Sequence, residues 1–195
     1  MWAIVIASFV VKMLLVEANE SKCGEVPMTQ WAGQACLRQT PLPLPVGLVV
    51  IQHTVYGACA SDEECAAVAN AIRNYHMKQG YDDIGQSFLV GGNGEVYEGA
   101  GWRRVGAHTR GLNNRSVALS FMGDFRETLP TPQALQAAKD FLACASENKL
   151  LTEDYRLVGH RQVSQTESPG AALQKEITTW PHWLEMANIV SLFNY

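Results

Sequence analysis

The candidate β-strands of this chain are continuous runs of apolar residues rather than alternating apolar and polar positions. Residues 46–51 (Val-Gly-Leu-Val-Val-Ile) follow the proline-rich residues 41–45 and predict a buried central strand that ends near residues 52–54. Residues 117–122 and 156–160 predict two further strands.

A β-hairpin is predicted between the first and second of these runs. Residues 88–90 and 96–97 are apolar and flank residues 91–94, which read Gly-Gly-Asn-Gly. Glycine and asparagine adopt the positive φ angles that tight hairpin turns require. The pattern therefore predicts two antiparallel strands joined by a glycine-rich turn.

The first predicted helix has signals at both ends. Ser61 is followed three residues later by Glu64, and this capping box predicts the start of the helix. Gly80 is its expected end. The predicted apolar face consists of Val68, Ile72 and Tyr75.

Two more helices are predicted further along the chain. Thr131 and Pro132 read as the cap and first turn of one of them. Residues 173–180 predict the last helix, which Pro181 ends. The apolar face of the Thr131 helix comprises Leu135, Ala138 and Leu142.

The alternation of strands and helices predicts an α/β fold, with a central mixed β-sheet flanked by about three helices. No repeat or internal linker interrupts residues 19–195. We therefore expect these residues to form a single domain.

Residues 1–18 have the character of a secretory signal peptide. They are mostly apolar, and Val16 and Ala18 provide the small residues of a cleavage site. An uncleaved membrane anchor is the alternative, but Lys12 and Glu17 interrupt the unbroken run of about 18 apolar residues that a span requires. We therefore expect cleavage, secretion to the extracellular space and no membrane span in the mature chain.

Secretion permits disulfides, and the chain has five cysteines. Cys59 and Cys65 are close enough in sequence to tie a loop to the start of the first helix. Cys23, near the mature N-terminus, could pair with Cys144 on a later helix. Cys36 is then left over, either as a buried free thiol or as a site for an intermolecular disulfide.

The charge of the chain argues against nucleic-acid binding. Fifteen Lys and Arg residues against nineteen Asp and Glu residues give a net charge of −4. Basic residues form no block, and neutralising phosphates requires clustered cations.

Three histidines are predicted to lie at one end of the sheet. His53 and His160 end two of the predicted strands, and His108 lies in the loop after the hairpin. Residues just beyond strand ends commonly line binding clefts. A local structural hydrogen bond is the alternative role for each imidazole taken alone.

An ordered series of short motifs extends from about Cys23 to Trp183. The series reads Val-Val-Ile-Gln-His-Thr at 49–54, Asp-Ile-Gly-Gln-Ser-Phe at 83–88, Gly-Glu-Val-Tyr-Glu-Gly at 94–99, Gly-Trp at 101–102, Gly-Ala-His-Thr at 106–109, Gly-Asp-Phe at 123–125, Gly-His-Arg at 159–161, Thr-Glu-Ser-Pro-Gly at 166–170 and Trp-Pro-His-Trp at 180–183. In this order the motifs resemble those of the peptidoglycan recognition proteins, and the length and signal peptide resemble the short secreted members. The resemblance implies a zinc-amidase-like fold.

Some members of that family are zinc amidases that cleave the amide between muramic acid and the first alanine of the stem peptide. By this resemblance, the two histidine ligands of their zinc fall at Gln52 and His160, and the cysteine ligand falls at Ser168. A catalytic tyrosine falls at Gln86, whereas a threonine is retained as Thr166. Three of the five positions therefore depart from the catalytic pattern.

These departures predict a protein that binds no metal, uses no cofactor and is not an enzyme, because an amide and a hydroxyl are poor zinc ligands. A residual zinc amidase that uses His108 as a ligand is one alternative. His53 cannot replace Gln52, because adjacent strand residues point to opposite faces. A second alternative is a peptidase with Ser168 as nucleophile and His160 or His53 as base, although no Gly-x-Ser-x-Gly pattern surrounds that serine.

The resemblance also implies a groove that binds sugar–peptide fragments through neutral hydrogen-bonding side chains. Its positions fall on Gln52, His53, Thr54, Gln86, Trp102, His108, Thr109, Asn113, Asn114, His160, Thr166 and Ser168. Chemistry adds Arg103, Arg104 and Arg110, because arginine can hold a carboxylate through two parallel hydrogen bonds. A solvated loop is the alternative role for these arginines.

The function implied is that of a secreted protein that recognises bacterial peptidoglycan in innate immunity and signals through protein partners. The sequence does not decide between Lys-type and diaminopimelate-type stem peptides.

Asn19 and Asn114 each begin an N-glycosylation acceptor pattern. A glycan on Asn114 would crowd the groove, so we expect Asn114 to be unmodified.

Overall fold

A computed structural model of the chain describes residues 23–192 and contains one five-stranded sheet. The order of strands across the sheet is β3-β2-β4-β1-β5. β2 and β3 are antiparallel and every other neighbouring pair is parallel, so the predicted mixed sheet is confirmed. The strands are β1 (Val46–His53), β2 (Phe88–Val90), β3 (Val96–Glu98), β4 (Ser116–Phe121) and β5 (Leu151–Gly159).

Two long helices and three short ones surround this sheet. The helices are α1 (Met28–Trp31), α2 (Asp62–Lys78), α3 (Pro132–Glu147), α4 (His160–Val163) and α5 (Ala171–Ile177). Two 3-10 helices, Asn113–Arg115 and Met186–Leu192, complete the regular structure of residues 23–192.

Strand β1 is buried on both faces, which explains its unbroken apolar sequence. Val49 and Ile51 pack in a cluster that includes Phe141 of α3. Leu48 and Val50 pack on the other face, in a cluster that contains residues of the last 3-10 helix. The last residues of β1 therefore emerge from the core with side chains directed to two different faces.

The prediction that Tyr75 lies on the buried face of α2 is wrong. Its side chain is 61% exposed, and the buried residues of the helix are Cys65, Ala69, Ile72 and Arg73. Since consecutive helical residues are about 100° apart, Tyr75 lies roughly 100° from the centre of that face. The buried position that an apolar residue would be expected to fill is taken by Arg73.

The predicted helix ends agree with the structure in most respects. Ser61 Oγ accepts a hydrogen bond from Glu64 N at 3.3 Å, although the Glu64 carboxylate bonds to Ala60 N rather than to Ser61. Thr131 Oγ1 caps α3 by accepting from Ala134 N at 3.1 Å. α5 ends at Ile177, before the predicted residue 180.

Two strand details also differ from prediction. β5 begins five residues earlier than expected, and His160 starts α4 rather than ending the strand. In the hairpin turn Gly94 alone has a positive φ, of 87°, whereas Asn93 stabilises the turn through its side chain. Thr131 Oγ1 also donates to Gly92 O, which joins this turn to the start of α3.

The cysteines form the two disulfides that the sequence suggested. Cys23 is bonded to Cys144 and Cys59 to Cys65, while Cys36 is a buried free thiol. Burial raises the pKa of the Cys36 thiol.

No helix among residues 23–192 is long and apolar enough to cross a bilayer. The predicted signal peptide and the Asn19 acceptor site lie outside the described residues.

Candidate functional site

The candidate site lies where the parallel strands β1 and β4 end side by side. Gln52 is paired in register with Ser120, and His160 begins α4 directly after the neighbouring strand β5. Ligands of parallel α/β sheets characteristically bind beyond the carboxyl ends of the strands. We call Gln52, His108, Thr109, His160 and Ser168 the strand-end site.

The side chain of Gln52 is held by three hydrogen bonds and is only 4% exposed. Its Nε2 donates to His108 O at 3.1 Å and to Thr109 Oγ1 at 3.3 Å. Its Oε1 accepts from Ser120 Oγ at 3.1 Å. Both ends of the amide are thus committed to neighbouring protein groups.

Asn113 fixes the loop that carries His108 and Thr109. Its Oδ1 accepts from His108 N at 3.0 Å and from Thr109 N at 2.7 Å. His108 Nδ1 lies 3.1 Å from Thr109 Oγ1, which already accepts from Gln52. The hydroxyl of Thr109 thus links the Gln52 amide to the imidazole of His108.

The imidazoles of the strand-end site are neutral at physiological pH. Burial, with a smaller contribution from the nearby His160, lowers the pKa of His108 to about 4, although a backbone hydrogen bond at Ser116 partly opposes the shift. Burial likewise lowers the pKa of His160 to about 4, with a contribution from His53. His160 therefore lies within electrostatic range of both His108 and His53.

His53 is linked to the site through its backbone rather than its ring. Its N–H donates to Ser168 Oγ at 3.1 Å. Its ring lies on the opposite face of β1 from Gln52, where Nδ1 accepts from Phe125 N at 3.2 Å. Burial lowers the pKa of His53, and the carboxylate of Asp124, 3.9 Å away, partly opposes that effect.

Ser168 is 7% exposed and is held by the turn that contains Thr166. Its N–H donates to Thr166 Oγ1 at 3.2 Å, and its carbonyl accepts from Arg161 N at 2.7 Å. Among residues 23–192, no histidine ring nitrogen is hydrogen-bonded to Ser168 Oγ.

Three further candidate residues have different surroundings. Thr54 Oγ1 accepts from Gly123 N at 3.0 Å and donates to Tyr56 O at 2.6 Å. Gln86 Oε1 is buried and has no hydrogen-bond partner among the described residues. Trp102 is 6% exposed and stacks on Phe141 with ring centroids 5.4 Å apart, so its ring belongs to the core.

The arginines divide into paired and exposed members. Arg104 Nη2 donates to Glu98 Oε1 at 2.9 Å, which commits it to strand β3. Arg103 and Arg110 are exposed, as is Asn114. Two arginines of the predicted three are therefore available to solvent.

Sequence reasoning missed Ser120, whose hydroxyl completes the hydrogen bonding of Gln52. Ser120 could have been identified from the sequence as a serine in an otherwise apolar predicted strand. A buried hydroxyl requires a hydrogen-bond partner, so a polar side chain was to be expected beside it. It also missed the carboxylate of Asp124 beside the ring of His53.

Within residues 23–192, no three or more His, Cys, Asp or Glu side chains are grouped so that they could hold a metal ion. A cavity of about 490 Å³ between α3, β5 and residues 180–182 contains none of the candidate residues. The strand-end site is therefore separate from that cavity.

Similarity to known proteins identifies the class to which this chain belongs. Residues 42–171 match the family model described as N-acetylmuramoyl-L-alanine amidase. A mouse relative is also named N-acetylmuramoyl-L-alanine amidase. It is 42% identical over 83% of this chain and 32% of its own length.

More specific relatives then define the family. A peptidoglycan recognition protein of Trichoplusia ni is 46% identical over 84% of this chain and 90% of its own. The solved structure of peptidoglycan recognition protein-LE in complex with tracheal cytotoxin, a monomeric diaminopimelic acid-type peptidoglycan, superposes with a TM-score of 0.78 at 38% identity, covering 85% of this chain and 98% of that one. The chain belongs to the peptidoglycan recognition protein family, as its motifs predicted.

Proposed function

We propose that this chain is a secreted recognition protein of innate immunity that binds peptidoglycan fragments at the strand-end site and does not cleave them. Its relatives include a recognition protein that holds a peptidoglycan monomer. A fold can carry several functions, so the proposal rests on the side chains of the site.

The main support for the proposal is the hydrogen bonding of the Gln52 side-chain amide. A catalytic relative would need a zinc ligand here, but Oε1 of Gln52 already accepts from Ser120 Oγ and Nε2 can only donate. Ser168, at the position of the cysteine ligand, accepts from His53 N and cannot become a thiolate. These residues do not fit a zinc ion, which supports binding without amidase activity.

The remaining groups suit a neutral, hydrogen-bonding ligand with occasional carboxylates. Gln86 Oε1 offers an acceptor that lacks a protein partner among the described residues. The low pKa of His108 and His160 keeps both imidazoles uncharged, so each has one N–H donor and one acceptor nitrogen. Arg103 and Arg110 are the exposed cations that could hold the carboxylates of a stem peptide.

Secretion and signalling complete the proposal. The predicted signal peptide and the disulfides Cys23–Cys144 and Cys59–Cys65 are consistent with an oxidising extracellular compartment. A binder without hydrolytic activity requires protein partners to pass on the signal, and we propose that such partners belong to an immune cascade.

Calorimetric titration with matched Lys-type and diaminopimelate-type disaccharide-peptides tests this function, with and without zinc or a chelator. We expect saturable binding that is indifferent to the chelator, and intact ligand by mass spectrometry. Arg110→Ala should weaken the binding of carboxylate-bearing ligands, whereas the matched control Arg156→Ala, an exposed arginine of β5, should not.

Two results would contradict the proposal. Chelator-sensitive release of stem peptide would identify a residual zinc amidase. Metal-independent hydrolysis that disappears in Ser168→Ala would identify a serine peptidase.

A further inference from the structure

The loop that follows β1 exposes two apolar side chains beside the strand-end site. We call Thr54, Val55, Tyr56 and Gly57 the rim loop. Tyr56 is 73% exposed, the highest value for a large hydrophobic side chain among residues 23–192, and Val55 is 53% exposed. Val55 and Tyr56 are adjacent, so together they form a small apolar surface next to the candidate binding site.

The backbone on either side of Tyr56 is in the left-handed region. Val55 has a φ of 63° and Gly57 a φ of 87°. A β-branched residue rarely adopts such a φ, and strained backbone of this kind clusters at functional sites.

Four hydrogen bonds hold the rim loop in this conformation. Thr54 N donates to Phe121 O at 3.0 Å, and Val55 N donates to Gly123 O at 2.9 Å. Gly123 N donates to Thr54 Oγ1 at 3.0 Å, and the same hydroxyl donates to Tyr56 O at 2.6 Å. The loop is therefore braced against the end of β4.

The other end of the rim loop is fixed to α2. A Cβ atom built on Gly57 would lie 2.5 Å from Val68 Cγ1, so the backbone passes tightly over that helix. Two residues later, Cys59 is joined to Cys65 of α2 by a disulfide. Tyr56 is thus presented by a rigid loop rather than a mobile one.

We propose that Tyr56 is a stacking platform for a sugar ring of the glycan portion of peptidoglycan, an inference that rests on the proposed function. The rim loop continues directly from Gln52 and His53, so a ligand whose peptide occupies the strand-end site can reach it with its sugars. The apolar C–H face of a pyranose packs on the electron-rich face of an aromatic ring. The phenol hydroxyl can also bond to sugar hydroxyl or acetamido groups.

The rigidity of the loop favours this role. Tyrosine provides a large amphipathic contact area with only two side-chain torsions to fix. Because the backbone of the rim loop is already ordered, binding costs little conformational entropy there. An exposed ring on a braced loop is therefore preorganised for a flat ligand.

The test compares two ligands and three variants. A disaccharide-pentapeptide and the same pentapeptide without sugars are titrated by NMR against wild type, Tyr56→Ala and Tyr56→Trp. The matched control is Tyr75→Ala, since Tyr75 is 61% exposed on α2. We expect Tyr56→Ala to weaken binding of the sugar-bearing ligand by about 3- to 10-fold, with little change for the free peptide, and Tyr56→Trp to retain full affinity.

The possible failures are distinguishable. Absence of binding by the wild type would overturn the proposed function and this inference with it. Wild-type binding that Tyr56→Ala leaves unchanged would overturn the inference alone and favour the rim loop as a contact for a protein partner. An equal loss for both ligands would also overturn it, because Tyr56 would then contact the peptide.

Discussion

Gln52 and Ser120 lie side by side at the ends of two parallel strands, and the serine hydroxyl donates to Gln52 Oε1 at 3.1 Å. Through its Nε2 the same side chain donates to the loop at His108 and Thr109. The amide therefore joins β1, β4 and this loop. At the position where the family resemblance implies a metal ligand in amidases, this chain has a structural cross-link.

The first prediction concerns this cross-link. Gln52→Ala removes three hydrogen bonds and leaves buried partners unsatisfied, so we expect the free energy of unfolding to fall by about 1–3 kcal/mol. Urea denaturation followed by circular dichroism measures this change. Gln165→Ala, at an exposed glutamine, should stay within about 0.5 kcal/mol of wild type. Equal stability of Gln52→Ala and wild type would show that the network contributes nothing.

The second prediction is a loss of stability in mild acid. Burial lowers the pKa of His108 and His160 from 6.5 to about 4, so the unfolded chain takes up protons at higher pH than the folded one. Their contribution to stability is complete above about pH 6.5 and is lost as the pH falls toward 4. Melting temperatures at a series of pH values should decline across this window, and the decline should be shallower in His108→Asn/His160→Asn. NMR titration of either folded histidine near pH 6.5 would contradict this.

Much of the fold could be predicted from the sequence because the sheet is buried on both faces. A strand such as β1 then has no polar alternation, and its apolar run is distinctive. The opposite directions of Gln52 and His53 also followed from strand geometry alone. The hydrogen-bond partners of Gln52 could not be predicted from the sequence, because His108 and Ser120 are 56 and 68 residues away along the chain.

The features that sequence did not reveal depend on tertiary contacts. The ring of Trp102 stacks on Phe141 in the core, a contact that sequence does not reveal, and its place in the groove stays a prediction. Tyr75 was expected to be buried, but the buried face of α2 includes Arg73, a residue type that is seldom buried without a partner. That partner, Asp83, lies ten residues further along the chain.

The third prediction tests this buried ion pair. Arg73 Nε donates to Asp83 Oδ1 at 2.6 Å, and Leu37 N and Ile84 N also donate to the carboxylate. Burial alone would raise the pKa of Asp83, but these hydrogen bonds lower it overall. Asp83→Asn leaves a buried guanidinium without its counter-charge, so we expect destabilisation of about 3–5 kcal/mol by chemical denaturation.

The neighbouring Asp82 provides the control for that measurement. Its side chain is 74% exposed and lies 3.6 Å from Arg38, so Asp82→Asn should change stability by less than about 1 kcal/mol. Similar effects of the two substitutions would contradict the assignment of a buried pair.

The fourth prediction is that a zinc site can be restored. His160 is already present at the start of α4, and Gln52 and Ser168 occupy the positions implied for the other two ligands. We expect Gln52→His/Gln86→Tyr/Ser168→Cys to retain about one equivalent of zinc after dialysis, measured by mass spectrometry of the metal, because two imidazoles and a thiolate form a tetrahedral site with water. Gln52→His/Ser168→Cys should bind equally, since the tyrosine is not a ligand. The wild type is the negative control, and a folded triple variant without stoichiometric zinc would show that the ligand positions were wrongly assigned.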